Sequence, residues 1–118
     1  MALVNLTLVR FGTPPVYTVV NATDTFLLAN DGLTKLYVEN NTNNDVTVTV
    51  LEQRPCNYGH ATVNFSYVCP QAVVTEIGTF RKDRYNRADG KIAMTFAIPG
   101  AGTARAGGVY DVSEDGRV

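Results

Sequence analysis

Apolar and polar residues along this chain alternate with a period of two, and good helix formers never gather into a 3.6-residue pattern. The clearest alternation is VTVTV, where Val46, Val48 and Val50 share one face and Thr47 and Thr49 the other. That is the signature of a half-buried strand. Ile92, Met94, Phe96 and Ile98 repeat it in KIAMTFAIP, after a turn at Ala88-Asp89-Gly90.

Between these lie a weaker ATVNFSYV and AVVTEIGTF; before them come LVNLTLVRF, VYTVV, TFLLA and TKLYVEN. Val, Ile, Thr, Tyr and Phe dominate, as strands require. Turn residues end the runs: Gly12-Thr13-Pro14-Pro15, Asn21, and Asn30-Asp31-Gly32, whose residues tolerate positive φ. The polar run Asn40 to Asp45 predicts a loop.

Six or seven short strands at intervals of about 8–12 residues predict an all-β domain, a single small antiparallel β-sandwich or jelly-roll-like barrel. Its expected parts are an extended N-terminal strand or arm (1–11), a sandwich core (12–99) and a Gly/Ala-rich, flexible C-terminal tail (100–118). Five of the 19 tail residues are Gly. They predict a frayed end with one weak strand at Val109–Val112, or an arm that orders on a partner.

Composition narrows the class. At 118 residues the chain is one domain, long enough to bury a core without obligatory disulfides or metals. Charged residues are 18% and hydrophobic ones 45%, which describes a globular rather than a disordered chain. A formal net charge of −1 gives no general attraction to nucleic acid or anionic membrane. No apolar run approaches the roughly 18 residues of a membrane-spanning helix. MALVNLTLVRFG lacks a basic start and a continuous apolar stretch, so no secretory signal is expected and synthesis is placed in the cytosol. Sequons at Asn5, Asn21, Asn40 and Asn64 read as turn chemistry.

Two stretches carry candidate chemistry. Cys56, His60 and Cys69 are the chain's only cysteines and histidine, spaced Cys-x3-His-x8-Cys. That supply falls short of a tetrahedral zinc site and lacks its close ligand pairs. A catalytic Cys–His pair would need contact and an orienting group, neither of which the spacing provides. Two structural readings stay open. One is a Cys56–Cys69 disulfide about a turn at Asn57-Tyr58-Gly59, contributing about 3 kcal/mol on the chain-entropy model. The other is a pair of buried thiols kept reduced in the cytosol.

The second stretch, FRKDRYNRADGK, places Arg81, Lys82, Arg84, Arg87 and Lys91 against Asp83 and Asp89, half of the chain's Lys and Arg at a net +3. It reads as a solvated connection, as a surface for an acidic protein patch or, with Phe80 and Tyr85 interleaved, as a single-stranded nucleic-acid site. The slightly acidic whole favours protein over nucleic acid. With no placed carboxylate pair, phosphate loop or serine elbow, no enzyme is expected, and no cofactor or metal.

Residues 77–96, IGTFRKDRYNRADGKIAMTF, resemble a segment of small virion proteins of tailed bacteriophages. The shared positions are Ile77, Gly78, Phe80, Tyr85, Asn86, Gly90 and Ile92 through Phe96, with the VTVTV strand and Cys56, Gly59 and His60 upstream. Thr79 stands where Pro is common, and Cys69 has no counterpart. The chain therefore resembles the head decoration (capsid cement) proteins.

That resemblance implies a structural protein on the outer capsid surface of the virion, made in the host bacterial cytoplasm. It implies the major capsid protein as partner, a homo-oligomer with a trimer favoured, and neither nucleic acid nor membrane as a target. Leu3, Leu6 and Leu8 would anchor an arm added to a sheet edge, or belong to an ordinary edge strand of the domain. Arg84 and Arg87 would meet acidic capsid residues. Competing expectations are a tail- or fibre-associated sandwich that binds cell-surface glycan, a head–tail joining or tail subunit, and a small barrel for single-stranded nucleic acid.

Overall fold

The computed structural model describes residues 3–30, 32–51, 65–78, 80 and 85–110. Among these residues ten strands follow in chain order: β1 Leu3–Asn5, β2 Leu8–Arg10, β3 Thr18–Val20, β4 Thr25–Ala29, β5 Thr34–Thr42, β6 Val46–Val50, β7 Phe65–Cys69, β8 Val73–Ile77, β9 Lys91–Ala97 and β10 Gly102–Tyr110. They form two sheets, ordered β1-β4-β9-β6-β7 and β2-β10-β5-β8, with β3 also paired to β10. The result is a small all-β sandwich.

Alternation builds the core as the sequence predicts. Val46, Val48 and Val50 of β6 are wholly buried beside Ile92 and Met94 of β9. From the other sheet come Leu36 and Val38 of β5 and Ala104 and Ala106 of β10. Phe26 meets Phe96 edge-on at 5.5 Å, the geometry the ring quadrupole favours. Burying each large aliphatic side chain contributes about 1.5–3 kcal/mol relative to exposure.

Three expectations are corrected. First, the sheets are mixed: β1 pairs with β4 and β2 with β10 in parallel. Neither pair is joined by a hairpin, and a parallel pair needs such a long connection.

Second, Gly102–Tyr110 is no tail. It pairs with β5 along its whole length, while β3 flanks Ala104–Ala106 and β2 flanks Gly108–Tyr110 on the other side. Its glycines serve close approach. A Cβ on Gly107 would lie 2.4 Å from the Val16 carbonyl oxygen, and one on Gly108 2.4 Å from Leu28 Cδ1 in the facing sheet. Position 100 is therefore not a boundary of the core.

Third, Asn40, Asn41 and Thr42 belong to β5 rather than to a loop. Asn40 and Thr42 are buried because their side chains are paired: Asn40 Oδ1 accepts from the Thr42 amide and hydroxyl at 2.9 and 2.7 Å.

Candidate interaction surface

The N-terminal segment closes one side of the sandwich. It starts in one sheet as β1 and continues in the other as β2, and the residues between bond to both. The Leu6 amide donates to the Leu27 carbonyl at 2.8 Å, and the Thr7 carbonyl accepts from the Gly108 amide at 3.0 Å. Leu6 thus faces the core at 6% exposure, Leu8 is half-buried against it, and Leu3 is exposed at 60%. Of the three leucines singled out from the sequence, the structure leaves Leu3 alone at the surface. The edge-strand alternative describes this segment.

Beyond Arg10 the chain crosses the outer face of the second sheet. Val16 lies over Gly107, and Pro14 and Pro15 form a strap beside Tyr37 and Val109. Burial raises the pKa of Tyr17, with nearby Glu39 and Tyr37 adding to the shift. The strap explains why Val109 is buried on an outward-facing position.

Around the basic stretch, residues 81–84, Arg84 among them, lie outside the described residues. Phe80 is buried at 4% exposure, and Tyr85 packs on it edge-on at 6.1 Å. Phe65 packs on its other flank at 6.4 Å, and these rings wall a small cavity with Ile77 and Gly78. Phe80 is therefore a core plug rather than an exposed stacking platform. Asn86 Nδ2 donates to the Asn30 carbonyl at 2.8 Å, and Asn30 Nδ2 donates to Asn86 Oδ1 at 2.8 Å and to the Phe80 carbonyl at 3.1 Å. Arg87 reaches Asp89 at 3.7 Å, and Lys91 Nζ donates to Asn5 Oδ1 at 3.0 Å. The structure thus brings the basic turn next to β1.

Cys69 is a buried free thiol whose pKa burial pushes up to about 11, against a smaller lowering by its hydrogen bond with Thr75. Cys56 and His60 lie outside the described residues, so the disulfide expectation rests on a position the structure does not describe. Among the described residues no three metal-ligating side chains cluster, and no helix is long and apolar enough to cross a membrane.

Sequence reading missed the lateral edges. Tyr67 and Val68 on β7, and Val73 and Val74 on β8, are exposed at 41–52%. The two strands are consecutive, each ends its sheet among the described strands, and Pro70-Gln71-Ala72 links them. On the opposite side Leu3 of β1 and Val19 of β3 are exposed at 60% and 58%. Adjacent apolar pairs within a strand, Tyr67-Val68 and Val73-Val74, break strict alternation and were the available signal. By contrast, the outward face of the second sheet carries ion pairs, Lys35–Glu76 at 2.9 Å and Arg105–Glu39 at 3.6 Å. Exposed pairs of this kind contribute only about 0–1 kcal/mol.

The chain matches no family model, no curated protein and no solved structure.

Proposed function

We propose that this chain is a structural virion protein that binds the outside of a tailed-phage capsid and stabilises the shell. The observation that carries the reading is the β8–β9 crossover, residues 77–96, the segment of the phage resemblance. Each described position of that pattern has a structural task here. A Cβ on Gly78 would lie 2.9 Å from the Lys35 backbone, at a φ of +143°. Phe80 plugs the core, Asn86 locks onto Asn30, Gly90 turns at a φ of +78°, and β9 follows. Residues of this kind support the reading through architecture rather than through chemistry.

In this reading the sandwich meets the shell through its basic turn. The major capsid protein is the partner in this reading. Arg84 and Arg87 would meet acidic residues on it, and copies clustered at local symmetry axes would repeat one contact.

The test is co-sedimentation of purified protein with empty, undecorated capsids of the source phage, quantified as copies per shell. Saturation at a fixed ratio to capsid subunits is expected, with lower occupancy for Arg87→Glu. Failure of the folded protein to bind would move the assignment to a tail-associated or glycan-binding module.

A further inference from the structure

We infer that the two lateral sides of the sandwich are complementary halves of one head-to-tail contact between copies of this chain. The proposal is independent of the capsid reading. Among the described residues, six of the nine exposed large apolar ones lie on strands that flank the two sides: Leu3 and Val19 on one, Tyr67, Val68, Val73 and Val74 on the other. Scattered apolar residues would call for no explanation, but two rows on opposite sides do. Soluble sheets guard free edges with lysine, proline or bulges. Here β7 and β8, reading FSYVC and VVTEI, hold Glu76 as their single charge, and β1, β2 and β3, reading LVN, LVR and TVV, hold Arg10.

Three features select a second copy, joined head to tail. The single charges within these strands are of opposite sign, so apposing unlike sides brings Arg10 toward Glu76, whose surface pair with Lys35 leaves it half exposed, while apposing like sides repeats one sign. Strand direction agrees as well. Through β1-β4-β9-β6-β7 one pairing is parallel and three are antiparallel, so β1 and β7 run in opposite directions. A copy rotated about an axis along the strands then meets its neighbour as an antiparallel β1–β7 pair, extending the sheet by strand addition. In the second sheet β3 is antiparallel to β10, β10 to β5 and β5 to β8, so β3 and β8 also run oppositely, whereas β2, parallel to β10, runs the same way as β8 and meets it as a parallel neighbour. A contact between unlike patches closes into a ring where the rotation allows and otherwise grows as a filament.

The test uses two variants of the full chain, both altered only at exposed positions. Val68→Lys/Val74→Lys blocks one side and Leu3→Lys/Val19→Lys the other, with far-ultraviolet circular dichroism confirming that each folds. Light scattering coupled to gel filtration reads the mass. Wild type is expected above the 12.8 kDa monomer mass, increasing with concentration. Each variant alone is expected as a monomer. Mixed in equal amounts they are expected to form a complex of twice the monomer mass and no larger, because each supplies the one intact side the other lacks. A monomeric wild type at all concentrations overturns the inference. So does a variant that still self-associates, since that places like sides together, and so does a mixture that stays monomeric. Capsid binding by the monomeric variants, scored separately, keeps this outcome distinct from that of the capsid reading.

Discussion

Asn40, wholly buried in β5 of one sheet, donates from Nδ2 to the carbonyl of Cys69 at the end of β7 in the other, 2.9 Å away. Its second donor reaches the Asn44 carbonyl at 2.9 Å, and its oxygen takes the Thr42 amide and hydroxyl. The full hydrogen-bonding capacity of an asparagine amide is used. One side chain thus fixes the β5–β6 turn and clamps the two sheets at the end where β7 leads into β8.

Asn40→Ala should therefore cost about 2–4 kcal/mol, since it strands buried carbonyl and amide groups as well as removing contacts. Thr42→Val should cost less, about 1 kcal/mol, because it removes a hydroxyl but keeps the backbone partners of Asn40. Urea unfolding of the two variants gives the comparison. Equal losses would mean that Asn40 is a local turn former and not a clamp.

The same residue shows where sequence reading reached and where it stopped. Val46 to Val50 and Ile92 to Phe96 were legible because alternation is local and each inward position is apolar. Asn40 read as loop because what makes its burial tolerable, the Cys69 carbonyl, lies 29 positions away. The glycines of β10 read as flexibility because composition counts glycines but does not see Val16 or Leu28 pressed against them. Leu3, Leu6 and Leu8 looked alike as a strand, yet a switch between sheets after Asn5 gives them three different environments. The apolar sides of the sandwich appear only once the strand order makes β7 and β8 neighbours at one edge.

Gly107 and Gly12 separate two reasons for a glycine. Gly12 has a φ of +96° and nothing near its missing Cβ, so Gly12→Ala should cost about 1–2 kcal/mol of backbone strain and leave its surroundings in place. Gly107→Ala must instead push the Val16 carbonyl away, costing about 1–3 kcal/mol by overpacking and lifting the strap off β10. The raised pKa of Tyr17, which follows the strap and owes its shift mainly to burial, reads the difference. A titration followed by NMR should show it falling toward the ordinary value in Gly107→Ala and holding in Gly12→Ala. A fall in both variants, or in neither, would refute the strap.

Arg105 reports on the place of β10. Its side chain is 47% exposed, so a tail would offer trypsin a ready site. In the structure its backbone is held between Glu39 of β5 and Val19 of β3. Cleavage requires the surrounding strand to open, so it should track global unfolding. Native protein is expected to resist cutting after Arg105 until denaturant approaches the unfolding midpoint. Early cutting there, with the rest of the chain intact, would restore the tail reading.

Cys69, whose carbonyl anchors the clamp, also carries a buried thiol that responds to pH. Burial pushes its thiol up to about 11 from the 9.0 of an exposed group, so the unfolded chain releases this proton first as pH rises. Between those values the native state binds more protons than the unfolded one, and unfolding free energy falls with pH. The contribution is fully present below pH 9, disappears as pH passes about 11, and is on the order of 2 kcal/mol. Tyrosines and lysines titrate in the same range, so the informative quantity is the stability difference between wild type and Cys69→Ala. That difference should be constant from pH 7 to about pH 8.5 and should narrow by pH 10.5. The thiol of native protein should also react with a disulfide reagent at pH 8 far more slowly than in denaturant, as burial and a thiol held protonated both require. A pH-independent difference, together with rapid native labelling at Cys69, would place the sulfur outside the core.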